Sequence, residues 1–84
     1  MRASISNAAQ IAEILRARRK ARGISQQQLA GKLGISQSRL SAIEAGSSAL
    51  TIDRLIVIAN VLDLQLVLQD KADKPSKPRP SADW

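Results

Sequence analysis

Hydrophobic residues recur at helical spacing in four segments of the chain, residues 7–22, 25–33, 36–45 and 51–62. Within each segment, apolar residues three and four positions apart line one face, which is the pattern of a helix with one side packed against a core. The second and third segments are only about two turns long. The pattern therefore predicts four helices, of which the middle two are short.

Each predicted helix is preceded by a residue that can cap its first turn. These residues are Asn7, Ser25, Ser36 and Thr51. Gln28 lies three residues after Ser25, as a capping box requires. Glycine readily adopts the left-handed conformation that ends a helix, and the first three segments are followed by Gly23, Gly34 and Gly46. These local signals agree with the hydrophobic pattern about where the helices begin and end.

The fourth predicted helix has the broadest apolar face. We assign to this face Ile52, Leu55, Ile56, Ala59 and Leu62. Asp53 lies in the first turn, where a negative charge favours the positive end of the helix dipole. We expect this helix to close the core of the domain.

After Asp63 the hydrophobic period changes from that of a helix to that of a strand. Leucines occupy every second position here, since Leu64, Leu66 and Leu68 alternate with Gln65, Val67 and Gln69. A lone strand leaves its backbone hydrogen-bonding groups without partners, so we expect it to pair with the same segment of a second molecule across a two-fold axis. The expected dimer contacts are Leu64, Leu66, Val67 and Leu68. The alternative, in which the fourth helix continues through this segment, stays open.

The composition changes this picture by excluding most enzyme chemistry. The chain has 84 residues, enough for one small domain that often needs a partner subunit for stability, and it contains neither cysteine nor histidine. The commonest general base and the thiolate metal ligands are therefore missing, and there is no glycine-rich phosphate loop. We expect no enzyme activity, no metal ion and no other cofactor.

The longest apolar run, residues 55–61, is interrupted by Asn60 and is too short to cross a bilayer. The N-terminus lacks the apolar segment of a signal peptide. We therefore expect a cytoplasmic protein without a membrane partner.

The net charge of +6 favours a polyanionic partner, because opposite charge steers association and releases counterions. The densest cluster of basic residues is Arg16, Arg18, Arg19, Lys20 and Arg22. A basic, solvated helix face is the alternative interpretation of this cluster, so charge alone only suggests nucleic acid.

The segment between Gln26 and Ile43 meets the requirements of two short helices that cross at a steep angle through a tight turn. Its apolar, small and turn-forming positions are Leu29, Ala30, Leu33, Gly34, Ile35, Leu40 and Ile43. Each of these residues alone is ordinary in a core, but together over so short a window they predict a helix-turn-helix. A generic helical bundle is the alternative.

Residues 25–46, together with Leu15, Arg16, Arg19 and Gly23, resemble the phage-repressor-like (XRE/Cro-type) family of helix-turn-helix proteins. The resemblance extends over about residues 11–62. It implies an all-α, lambda-repressor-like bundle of four helices plus one C-terminal strand that pairs across a dimer. It also implies that the helix at about residues 37–45 enters the major groove of operator DNA, where its first residues read base edges.

Carried over from this family, Gln37 is the expected base reader, since a glutamine can pair bidentately with an adenine edge. The residues that share its exposed face are Ser36, Ser38, Arg39 and Ser41. Arg39 can reach either a guanine or a phosphate. Gln26 is expected to contact a phosphate at the start of the second helix, with local capping as the alternative.

Weaker candidates for contacts with the DNA backbone are Lys32, Ser47 and Ser48, for which a solvated surface is the alternative. Arg19 and Glu44 occupy the positions where the family places a salt bridge between the first helix and the recognition helix. We interpret this pair as structural.

Within this family, the chain most resembles the HipB-like antitoxins, because of its short length, its strand at residues 62–70 and a tail that ends in an acidic residue and Trp84. The resemblance implies a repressor that regulates its own operon and binds a HipA-like Ser/Thr kinase toxin. Trp84 is the expected toxin contact, with a solvated chain end as the alternative. A phage or plasmid repressor without a toxin partner is the alternative function, and a pure protein-interaction module is a third.

The expected organisation is an N-terminal arm at residues 1–6, a DNA-binding domain at residues 7–70 and a disordered tail at residues 71–84. The tail is rich in proline and lysine and shows no apolar period.

Overall fold

The computed structural model describes residues 2–47 and 49–71 of the chain. The four helices in this part are α1 (Ala8–Ala21), α2 (Gln26–Leu33), α3 (Gln37–Glu44) and α4 (Ile52–Val61). The four predicted helices and the helix-turn-helix arrangement are therefore confirmed. α4 ends at Val61 and residues 64–70 are not helical, so the alternative in which α4 continues is wrong. No strand is formed within the described residues, and pairing of residues 64–69 with a second copy stays a prediction.

Each helix begins at the residue that the sequence indicated, because a side-chain oxygen accepts a backbone N–H of the first turn. The four caps are Asn7, Ser25, Ser36 and Thr51. Capping boxes close the first turns of α1 and α2, where Gln10 and Gln28 reach back to the backbone of Asn7 and Ser25. Local hydrogen bonding thus fixes the ends of α2 and α3 although both helices are short.

The core is aliphatic and receives residues from all four helices. Its most buried members are Leu15, Leu29, Ala30, Leu40, Ile43, Leu55, Ile58 and Leu62. Ile24, Leu33 and Ile35 pack against this cluster from the segments that connect the helices or end them. Burial of this cluster holds α2 and α3 together and exposes the opposite face of α3.

The apolar face of α4 is rotated relative to the sequence-based assignment. Ile52 is 64% exposed and Ile56 is 43% exposed, so their placement in the core was wrong. Ile58, which was not assigned to the face, is fully buried. The helix is apolar on most sides, and a period of 3.6 residues cannot choose between adjoining stripes in such a helix.

A groove lies between the exposed side of α4 and the segment that follows the helix. The residues that line this groove are Ile56, Ala59, Asn60, Leu64, Gln65 and Leu66. Two of these residues, Ile56 and Leu66, are 43% and 48% exposed although both side chains are large and apolar. The misassigned stripe of α4 therefore forms part of an apolar surface rather than part of the core.

The chain leaves α4 through a turn centred on Asp63, which has a φ of 62°. The N–H of Asp63 donates to the carbonyl of Asn60 at 3.1 Å, and the N–H of Leu64 donates to the carbonyl of Ala59 at 2.7 Å. This is the hydrogen-bond pattern of a Schellman motif, in which glycine usually occupies the left-handed position. Asp63 takes that position here, and the helix ends at this turn.

None of the helices in the described part of the chain is both long enough and apolar enough to span a bilayer.

Candidate DNA-binding surface

The turn between α2 and α3 is built by one glycine and one buried contact. Gly34 ends α2 with a φ of 71° in the left-handed region, where a residue with a side chain is strained. The N–H of Ile35 then donates to the carbonyl of Ala30 at 3.1 Å, which closes the turn. Ser36 follows at once as the N-cap of α3. This short connection holds α3 at a fixed position beside α2.

α3 has a buried side and an exposed polar side. Leu40, Ile43 and Glu44 are buried. The exposed positions of the helix and its cap include the five residues expected to face DNA, namely Ser36, Gln37, Ser38, Arg39 and Ser41. The structure therefore brings these five sequence-predicted residues together on one accessible helix, with its N-terminal end open to solvent. Their contacts with DNA stay a prediction.

Ser36 has a structural task that the sequence also indicated. Its hydroxyl oxygen accepts the backbone N–H of Arg39 at 3.0 Å. Gln37 is the first residue of the helix, and its side chain is exposed. An exposed amide at the start of a recognition helix is well placed for the edge of a base.

Arg19 of α1 and Glu44 at the end of α3 form a buried ion pair at the position that the family resemblance implies. Nε of Arg19 lies 2.7 Å from Oε2 of Glu44, and Nη2 donates to Oε1 at 3.0 Å. Nη1 of Arg19 also donates to the carbonyl of Ile24 at 2.9 Å. This bidentate contact joins α1 to the end of α3. Within the described residues, no buried side-chain nitrogen or oxygen lacks a hydrogen-bond partner.

The ion pair shifts the protonation of both partners toward the charged forms. Burial alone would raise the pKa of Glu44, but hydrogen bonds from Arg19 and Gln26 and the positive charges of Arg19 and Arg16 outweigh it and lower this pKa. The hydrogen bond to Glu44 raises the pKa of Arg19 above its already high value. The pair is therefore fully charged at neutral pH.

Gln26 takes part in the same network, which the sequence did not indicate. Its Nε2 donates to Oε1 of Glu44 at 3.1 Å, and the side chain is half-buried. Ser25, not Gln26, caps α2. Glu44 thus holds the amide of Gln26 beside the end of α3. Because the two residues are distant in the sequence, no local pattern could have predicted this contact.

The weaker candidates are more scattered. Lys32 is exposed in the last turn of α2, where a positive charge also suits the negative end of the helix dipole. The hydroxyl of Ser47 donates to the carbonyl of Ala42 at 3.2 Å and so helps to end α3. Ser48 and the tail with Trp84 lie outside the described residues.

Three of the five basic residues at positions 16–22 make hydrogen bonds within the protein. Arg19 is buried against Glu44, and Arg18 and Arg22 donate to carbonyls at the end of α4. Arg16 and Lys20 are exposed. The charge density that suggested nucleic acid is therefore only partly available to a ligand, so the exposed polar side of α3 is the stronger indication of a DNA-binding surface.

Comparison with known proteins agrees with this geometry. The helix-turn-helix family HTH_3 matches residues 15–69. The HTH-type transcriptional regulator y4dL of Sinorhizobium fredii (strain NBRC 101917 / NGR234) is 38% identical over 66 residues, which are 79% of this chain and 34% of that regulator. The chain therefore spans about a third of the length of this relative.

Among solved structures, the chain is similar to HipB. A chain of a HipB–O2 20mer complex superposes with a TM-score of 0.76 at 28% identity, covering 86% of this chain and 100% of that one. A chain of the HipA–HipB–O2–O3 complex gives a TM-score of 0.74 at 28% identity, covering 84% and 100%.

The protein therefore belongs to the helix-turn-helix family HTH_3. Its fold within that family is the HipB-like one.

Proposed function

We propose that this protein is a dimeric, operator-binding repressor that controls its own operon and serves as the antitoxin of a HipA-like Ser/Thr kinase. The observation that carries the proposal is the exposed polar face of α3, held on a helix-turn-helix with a HipB-like fold. A helix of this kind fits the major groove, where its first residues meet the base edges.

In the proposed complex, Gln37 reads a base, and Ser36, Ser38, Arg39 and Ser41 contact neighbouring bases or phosphates. Gln26 contacts a phosphate at the start of α2. The hydrogen bond from Gln26 to Glu44 supports this assignment, because it uses one amide hydrogen and leaves the other hydrogen available to a phosphate oxygen. Lys32, Ser47 and Ser48 add contacts to the DNA backbone.

The proposed dimer forms through residues 64–69 of both copies. Leu66, Val67 and Leu68 are 48%, 65% and 101% exposed, which is unusual for three consecutive apolar positions in water. Their backbone lies outside any helix, so its N–H and C=O groups are available to pair with a second strand. A two-fold axis through such a pair would present two α3 helices to two half-sites about one helical turn apart.

The antitoxin role rests on the likeness to HipB, since one of the similar chains comes from a complex with HipA. Trp84 is the proposed anchor for the kinase, because a tryptophan offers a large apolar surface with a donor at its edge. The Pro-rich segment before it would hold this anchor away from the DNA-binding domain. DNA and kinase would then use separate surfaces.

A repressor without a toxin partner is the second candidate. The higher identity to y4dL, an HTH-type transcriptional regulator, favours it. Calorimetry with a HipA-like kinase encoded beside this gene separates the two candidates. The antitoxin proposal expects binding that is weakened by deletion of residues 71–84, with dimerisation intact and DNA affinity nearly so. If the truncated protein binds the kinase as tightly as the full chain does, Trp84 is not a kinase contact. If the full chain does not bind the kinase, the second candidate is favoured.

A mobility-shift titration with the DNA upstream of the gene tests DNA binding itself. We expect a specific complex whose affinity falls steeply as salt rises, because phosphate contacts release counterions. A protein-interaction module would give no shift with this DNA at any salt concentration, which would overturn the proposal.

A further inference from the structure

From the contacts at the end of α4, we propose that Arg18 and Arg22 set the spacing between the two half-sites that the dimer accepts. The two arginines fix the point at which the dimer-forming segment leaves the domain, and this point determines where the two α3 helices lie relative to each other. This inference rests on the proposed function and adds to it two residues that position the DNA-binding surface without belonging to it.

The arginines bind carbonyl groups that the helix itself cannot satisfy. Nε of Arg18 donates to the carbonyl of Leu62 at 3.1 Å, and Nη1 of Arg22 donates to the same oxygen at 3.3 Å. Nη2 of Arg18 reaches the carbonyl of Asp63 at 3.5 Å. The last carbonyls of a helix have no partner within the helix and carry the negative end of its dipole, so a guanidinium group is a favourable ligand for them.

Leu62 and Asp63, whose carbonyl groups the arginines bind, are also held by other contacts. Leu62 is fully buried in the core, and Asp63 adopts the left-handed conformation that turns the chain. Nη1 of Arg22 also lies 3.5 Å from Oδ2 of Asp63, although this carboxylate is exposed and the ion pair itself contributes little. The turn that begins residues 64–70 is therefore held by its own backbone, by the core and by the side chains of Arg18 in α1 and of Arg22, the C-cap of α1.

The arginine contacts at the end of α4 lie beside a contact that holds the recognition helix, α3. Arg19, the neighbour of Arg18 in the sequence, makes the buried ion pair with Glu44 at the end of α3. One turn of α1 thus holds the end of α3 on one side and the end of α4 on the other. Packed helices move as units, so the ends of α3 and α4 keep a fixed position relative to each other. The position of the dimer axis at the end of α4 would then determine the positions of the two α3 helices.

The experiment compares binding to a series of duplexes in which the spacing between the two half-sites is changed in steps of one base pair. The half-sites are those that the wild-type protein protects upstream of its own gene. The variant is Arg18→Met/Arg22→Met, which keeps much of the apolar stem and removes the donors. The matched control is Arg16→Met/Lys20→Met, which removes the same charge from exposed positions of the same helix.

For the wild type and the control, we expect about a tenfold loss of affinity when the spacing departs by one base pair from the optimum, a penalty comparable to one mismatched base pair. For the Arg18/Arg22 variant, we expect this loss to shrink to about threefold or the optimum to move, while binding to a single half-site falls no more than in the control. Circular dichroism and light scattering check that the variant is a folded dimer. If the double variant does not fold, Arg18→Met alone is compared with Arg16→Met by the same criteria.

An unchanged spacing profile in a folded dimeric variant overturns the inference. So does a loss of affinity that is uniform over all spacings and exceeds that of the control, because it would make the arginines phosphate contacts. Failure of the wild type to dimerise or to bind any duplex overturns the proposed function, and the inference with it.

Discussion

α3 and α4 are helices of similar length with opposite exposed faces. α3 exposes Gln37, Ser38, Arg39 and Ser41, which are polar. α4 exposes Ile52, Ile56 and Val57, which are apolar and 43% to 64% accessible. Both helices bury one side in the same core, so the difference is not required by the fold of a single chain. The difference is consistent with the two kinds of partner in the proposed function, DNA and a second copy of the protein.

Exposure of a polar helix face to water costs little free energy, because water satisfies its hydrogen-bonding groups. Its amides and hydroxyls can also pair with the donors and acceptors of base edges. Exposure of an apolar face to water has a free-energy cost that is proportional to the exposed area. The face of α4 continues across the groove into two apolar residues of the segment that follows it, Leu64 and Leu66. This difference supports the proposal that α3 is the surface for nucleic acid and that α4 with residues 64–69 is the surface for a second copy of the protein.

The largest expected effect comes from the buried side of α3. Glu44→Ala leaves the guanidinium of Arg19 buried without its partner, which we expect to lower the free energy of unfolding by about 3–5 kcal/mol. Urea denaturation measures this change. Glu13→Ala is the matched control, because Glu13 is exposed on α1, and it should alter stability by less than about 0.5 kcal/mol. Equal effects of the two substitutions would contradict a structural role for the ion pair.

The ion pair also predicts a pH dependence. The folded protein lowers the pKa of Glu44 below its ordinary value of 4.5, so on acidification the unfolded chain takes up the proton first. The stabilisation is complete above pH 4.5 and is lost as the pH falls through the lower folded-state pKa. We expect Glu44→Gln to reduce the loss of stability between neutral and acidic pH. A variant with the full wild-type dependence would show that other carboxylates account for it.

The next effect concerns the apolar face of α4. Ile56→Asp places a carboxylate in the groove beside Leu64 and Leu66, and we expect it to weaken the dimer at least about 100-fold, or about 2.7 kcal/mol. Analytical ultracentrifugation measures the dissociation constant. Val57→Asp is the matched control, since Val57 is exposed on α4 but does not line the groove. Equal loss of the dimer in both variants would extend the interface over the whole of α4, and no loss in either would remove it.

The parts of the fold that the sequence predicted well depend on local interactions. Asn7, Ser25, Ser36 and Thr51 cap the helices because each side chain bonds a backbone N–H three residues later. The helix-turn-helix followed from several such positions in one short window. The five residues expected on the exposed side of α3 lie there because helical periodicity alone decides it when the opposite side is clearly apolar.

The parts that the sequence did not predict depend on contacts between distant residues. In α4 the apolar residues surround most of the helix, so the choice between Ile58 and Ile56 for the core is made by the packing of α1, α2 and α3. The bond from Gln26 to Glu44 and the bonds of Arg18 to the end of α4 join residues 18 and more than 40 positions apart. Charge patterning counted Arg18 as a surface cation and could not show this use.

A smaller effect separates base reading from phosphate contact. Gln37→Ala should cost about 1–3 kcal/mol in specific binding and relax the base preference at one position of each half-site. Gln26→Ala should weaken binding to all sequences alike. Gln27→Ala is the control, because Gln27 is exposed on α2 and outside the proposed contacts. Fluorescence anisotropy with single-base operator variants gives these values, and an unchanged preference in Gln37→Ala would contradict the assignment of α3.

The smallest effect tests the turn that separates α4 from residues 64–70. Asp63→Val puts a β-branched side chain at a φ of 62°, which we expect to cost about 1–2 kcal/mol of stability. Asp63→Gly suits this conformation and should change stability by less than about 1 kcal/mol. Thermal unfolding of both variants measures the difference. Equal melting temperatures would mean that the left-handed turn does not constrain the position of residues 64–70.

Hydroxyl-radical footprinting of the DNA upstream of the gene tests most directly the claim that α3 binds DNA and α4 with residues 64–69 binds a second copy. The account predicts two protected patches related by two-fold symmetry, with centres about 34–36 Å apart or slightly more along one face of the duplex. Ile56→Asp should lose the paired pattern at protein concentrations where the wild type shows it. A single protected patch for the wild type, or the same paired pattern for Ile56→Asp, would contradict the account.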